Sequence, residues 1–88
     1  MTQIWYKTFK GDKLQESQIF DFEGDPPLRD LAQEASNAFD YPTPVILKKH
    51  EKDFLEFNLA KFLPSDFMET VPFDRMEIEY VPIEESCH

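Results

Sequence analysis

Gln3-Ile4-Trp5-Tyr6-Lys7-Thr8-Phe9-Lys10-Gly11 is the stretch on which the reading of this chain turns. β-Branched and aromatic residues fill Ile4 to Phe9, and Lys10-Gly11-Asp12-Lys13 has the glycine and aspartate chemistry of a hairpin loop. The segment therefore reads as a strand entering a tight turn. Beyond the turn, Gln15 to Glu23 ends in alternation, with Phe20 and Phe22 on one face and Asp21 and Glu23 on the other. That is a second strand, antiparallel to the first.

Gly24-Asp25-Pro26-Pro27 breaks the second strand, and Asp25 before Pro26 predicts an N-cap oxygen followed by a proline at the first helical position. Leu28, Leu31, Ala32, Ala35 and Phe39 follow at helical spacing, so an amphipathic helix is expected over about 26–39. Tyr41-Pro42-Thr43-Pro44 cannot continue it, because each proline biases its predecessor to extended geometry. Val45 to Lys49 and Phe54 to Leu59 then flank the polar turn His50-Glu51-Lys52-Asp53 and read as strands three and four. Ser65-Asp66-Phe67-Met68 offers a capped helical turn that Pro72 keeps short. Met76 to Val81 alternates again as strand five, with Met76, Ile78 and Tyr80 facing one way and Glu77, Glu79 and Val81 the other. One domain over 1–82 and an acidic tail over 83–88 are expected, with no internal repeat.

This order of elements resembles the ubiquitin-like β-grasp family. Gln3, Ile4, Lys7, Thr8 and Gly11 match the start of ubiquitin in kind and order. The spacing from Phe22 through Asp25 to Leu28 and Leu31 looks like its second strand feeding the helix, and Ser65-Asp66-Phe67 is similar to its short turn. The resemblance implies an α+β fold, a mixed sheet in the order β-β-α-β-β-(short helical turn)-β packed on one helix. Ile4, Tyr6, Phe20, Phe22, Leu28, Leu31, Val45, Leu47, Met76 and Ile78 would face the core, and Trp5, Ile46, Glu77 and Val81 would point outward. It also implies work by protein contact, since such domains serve as adaptors or as small accessory subunits of bacterial assemblies such as multicomponent diiron hydroxylases. The run Val45 to His50 is similar to those subunits. Two departures matter. The chain ends Ile83-Glu84-Glu85-Ser86-Cys87-His88 without a diglycine, so conjugation is not expected, and Glu77 and Glu79 stand where ubiquitin has part of an apolar patch.

Composition narrows the partners. A formal charge of −9 over 88 residues argues against phosphate backbones and anionic membranes as ligands. No apolar run approaches the roughly 18 residues that span a bilayer. A single cysteine, Cys87, leaves no internal disulfide, and the first residues show no charged-then-apolar leader, so a cytoplasmic setting is expected. Cys87 with Glu84 and Glu85 beside it is a poor nucleophile, and Cys87, His88 and His50 do not make a metal site. Acid pairs such as Glu77 and Glu79 read as a solvent face rather than a catalytic cleft. With two glycines in all and no phosphate-binding or hydrolase motif, no enzyme, cofactor or metal is expected.

What remains is an interface. Trp5 and Phe9, with Ile46 and Val81, have the composition of an anchor, while Lys48, Glu77 and Glu79 would supply the polar surround toward a larger protein partner. Placement of Trp5 in the core is an equal alternative at this stage. The second function class is an acidic mimic of DNA phosphates that blocks a nucleic-acid-binding protein, suggested by two acidic segments: residues 15–40, where Arg29 stands against Glu16, Asp21, Glu23, Asp25, Asp30, Glu34 and Asp40, and the stretch after Phe62, where Arg75 stands against seven acids. Oligomeric state is not legible.

Overall fold

The computed structural model describes residues 2–82. The chain is α+β: β1 (Thr2–Lys10), β2 (Lys13–Phe22), α1 (Leu28–Ala38), α2 (Lys48–Phe57), β3 (Leu59–Phe62), a 3-10 turn (Pro64–Asp66) and β4 (Arg75–Val81). The strands form one antiparallel sheet in the order β2-β1-β4-β3. The expected acidic tail over 83–88, with Cys87 and His88, lies outside the described residues.

The opening hairpin forms as its chemistry requires. Gly11 takes the left-handed conformation at φ 62°, which a residue without Cβ adopts freely. Ile4, Tyr6 and Thr8 alternate inward and are fully buried. α1 lays Leu28, Leu31, Ala32 and Ala35 against them, joined by Ala60 and Phe62 of β3 and by Met76 and Ile78 of β4. The rings are linked in a chain: Tyr6 stacks on Phe39 at 5.2 Å, Phe39 lies 6.1 Å from Tyr41, and Tyr41 meets Phe73 edge-on at 5.2 Å. Such pairs contribute about 0.5–1.5 kcal/mol each beyond their buried area.

The two ends of α1 are built differently from one another. Pro27, not Asp25, is the N-cap, and no side chain caps this end. Asp25 instead lies 3.1 Å from the Thr2 hydroxyl, which also donates to the Gly24 carbonyl at 2.6 Å, so it ties the strand start to the turn. At the other end the Tyr41 amide donates to the Ser36 carbonyl and the Asp40 amide to the Asn37 carbonyl, with Asp40 left-handed at φ 60°. That is a Schellman closure with aspartate in the place usually held by glycine.

The second half departs from expectation. Residues 45–49 and 54–57 are not strands: a helix occupies Lys48–Phe57, and only Leu59–Phe62 pairs in the sheet. The reason is compositional, because 48–57 contains no β-branched residue, and Lys48, Lys49, Lys52, Glu51, Glu56 and Leu55 are good helix formers. Its start is fixed by His50, whose Nδ1 accepts the Leu47 amide at 3.0 Å, and its end by Asn58, left-handed at φ 59°. Val45 and Leu47, expected in the core, are exposed, whereas Ile46, expected outside, is half-buried against the core. The mixed, five-stranded sheet is thus corrected to four antiparallel strands. β4 runs opposite to β1, and a second helix stands where a second hairpin was read.

Candidate functional site

The helices cover one face of the sheet; the other has no layer over it among the described residues. Strand alternation and register decide what it carries. On β1 the outward positions are Gln3, Trp5, Lys7 and Phe9, and on β4 their partners are Val81, Glu79, Glu77 and Arg75. β2 adds Ile19 opposite Trp5, and β3 adds Leu59 and Lys61 opposite Glu79 and Glu77. Trp5 is therefore on the outer face and half-buried there, which resolves the choice between surface and core.

The centre of this face is a charge ladder held between two rings. Lys7 Nζ is 2.9 Å from Glu79 Oε1 and 3.5 Å from Glu77 Oε1, and it lies 4.1 Å from the Trp5 ring centroid. Arg75 Nε reaches Glu77 Oε2 at 2.8 Å while its guanidinium carbon lies 4.2 Å from the Phe9 centroid. The rings shield the charges from water: Lys7 is 8% and Glu77 7% exposed, although both are on the open side of the sheet. Cation–π contact and ion pairing reinforce one another in this arrangement.

The face is nearly neutral. Lys7, Lys61 and Arg75 stand against Asp21, Glu77 and Glu79, three charges of each sign, in a chain whose net charge is −9. Glu77 and Glu79 are paired with internal cations, so the centre of the face offers a partner rings and aliphatic groups, with Asp21 and Lys61 exposed toward its edges. Ile19 is 45% exposed, and Leu59 and Val81 are half-buried beside Trp5 and its neighbours.

Of the residues read from sequence as an interface, Trp5, Phe9, Glu77, Glu79 and Val81 come together on this face. Ile46 and Lys48 do not. Ile46 packs on the core and Lys48 opens α2, because the segment holding them is not a strand in this sheet. Ile19, Leu59, Lys61 and Arg75 were missed; period-two alternation carried back one step from Asp21 and from Glu77 finds Ile19 and Arg75, whereas Leu59 and Lys61 depend on the β3 register.

No helix among the described residues is long and apolar enough to cross a membrane. Among the same residues, no group of three or more His, Cys, Asp or Glu side chains is placed to hold a metal ion. Comparison with known proteins returns no match to a family model, a curated protein or a solved structure.

Proposed function

We propose that this protein is a non-enzymatic interaction module, an adaptor or accessory subunit that docks on a larger protein through the outer face of its sheet. The observation that carries this reading is the uncovered face on which Trp5 and Phe9 bracket an internally neutralised ladder, with Ile19, Leu59 and Val81 around it. An aromatic centre with satisfied charges is the composition of an interface core, where free charges are depleted. Kinship with the ubiquitin-like β-grasp is supported by the opening hairpin and the helix after it; the antiparallel β1–β4 pair and α2 weigh against it.

The test is capture from an extract of the native host by the intact chain, by Trp5→Ala and by Ile19→Asp. Ile19 is exposed, so its substitution leaves the core untouched. A partner held by the intact chain and lost by both variants, with retention little changed by salt, supports the reading. Retention by both variants overturns it.

Mimicry of nucleic acid is the second reading, favoured by the gathering of Glu23, Asp30 and Glu34 along one shallow groove. A partner bound that way is released steeply as ionic strength rises.

A further inference from the structure

α2 buries one of its ten side chains, His50, and leaves Leu55 80% and Phe57 69% exposed. A lone exposed aliphatic is ordinary, but Leu55 also walls an open groove of about 580 Å³ shared with Phe54, Leu28, Leu31 and Tyr80. This groove lies on the helical side of the sheet, away from the Trp5 face. Its charged lining consists of Asp25 and Glu51, both acids. The adjoining groove, which shares Pro26, adds Glu23, Asp30 and Glu34. No lysine of α2 lines it, and Lys52 is directed to Glu56 at 3.9 Å.

We infer that this groove is a docking site for a short amphipathic segment of another protein, one whose apolar side chains are flanked by Lys or Arg. The apolar walls require a ligand with leucine-like or aromatic side chains, and the acid-only rim selects the sign of what surrounds them. A second copy of the chain would bring another −9 against the same acids, and anionic lipid or nucleic acid would be repelled in the same way. A basic polypeptide meets both demands. The site is independent of the sheet-face reading, so each can fail alone.

The experiment is a titration of the isotope-labelled full chain, followed by amide and methyl resonances, with a series of synthetic peptides of about 15 residues, a length at which helix formation is attainable. The series carries Leu and Phe at varied helical spacings with Lys and Arg flanks, and a matched series carries Glu flanks. Saturable shifts at Leu55, Phe54 and Leu31 are expected with basic peptides. Leu55→Asp should weaken binding at least about tenfold, and Glu51→Lys about three- to tenfold with a shallower salt dependence. Trp5→Ala should leave the affinity unchanged. The inference is overturned if no basic peptide saturates, if Glu-flanked peptides bind equally, if Leu55→Asp has no effect, or if sedimentation shows a dimer that Leu55→Asp dissolves.

Discussion

Lys7 and Glu77 stand opposite one another in the β1–β4 register, 3.5 Å apart and each more than nine-tenths buried, on the side of the sheet that carries no helix. Burying charge is unfavourable unless every partner is present, and here each has a second one: Glu79 for Lys7 and Arg75 for Glu77. Lys7→Met or Glu77→Leu alone should each cost about 1–3 kcal/mol, because the groups left behind lose compensation. The double substitution should cost less than the sum by at least about 0.5 kcal/mol. Urea unfolding of the four proteins measures this, and additive losses would show that the two side chains are not coupled.

His50 joins α2 to the rest of the chain. Its Nδ1 accepts the Leu47 amide at 3.0 Å, its Nε2 lies 3.4 Å from Asp66 Oδ2, and its ring packs 4.4 Å from that of Phe62. Because Nδ1 accepts an N–H, the ring proton belongs on Nε2, facing the carboxylate. His50→Ala removes the cap bond and the packing together and should cost about 2–3 kcal/mol. Amide exchange should accelerate across 48–57 well before it does in β1. Uniform acceleration through the whole chain would contradict this account of how α2 is held.

The first half of the fold was legible because its periodic and turn signals, the Asp25 cap excepted, agreed with the tertiary outcome. Tyr6 and Ile4 alternate, Leu28 and Leu31 recur at helical spacing, and the turn residues between them demand what the chain does. The second half was misread because Val45-Ile46-Leu47 looks like a strand, while the helix-forming character of 48–57 lacks a regular apolar stripe. Its one fully buried side chain is a histidine, which pattern reading counts as polar, and Phe54 is only half-buried against the core. Surface and core stood even for Trp5 in the sequence, and the register that aligns it with Glu79, on the side opposite to buried Ile4 and Tyr6, decides for the surface. That Lys7 neutralises Glu77 and Glu79 depends on cross-strand distances that no spacing along the chain reveals.

The hydroxyl of Tyr41 donates to the Glu16 carboxylate, and burial together with that acid pushes its phenol up to about 12. Burial likewise raises Tyr6, which is fully enclosed. In the unfolded chain both phenols ionise at about 10. Their contribution to stability is therefore complete below pH about 10 and is lost as pH rises through 10 toward 12, since only the unfolded chain releases the protons in that window. The urea midpoint should be level from pH about 8 to 9.5 and then fall, and Tyr41→Phe should make the fall shallower without removing the part due to Tyr6. A midpoint indifferent to alkali would refute the assignment.

Asp40 closes α1 in the left-handed conformation, at φ 60°, with the Tyr41 amide donating to the Ser36 carbonyl at 2.9 Å. Aspartate tolerates this conformation better than most residues but does not favour it, and its charge sits at the negative end of the helix dipole. Glycine at this position relieves both effects, at the cost of a more flexible unfolded chain. Asp40→Gly should raise stability by about 0.5–1 kcal/mol. Asp40→Asn should recover the electrostatic share alone, about 0.3–0.5 kcal/mol, whereas Asp40→Val, β-branched at positive φ, should lose more than 1 kcal/mol on this order of magnitude. Denaturant midpoints in the order Gly, Asn, Asp, Val from highest to lowest would establish the closure, and a valine variant as stable as the native chain would show that residue 40 is not held left-handed in solution.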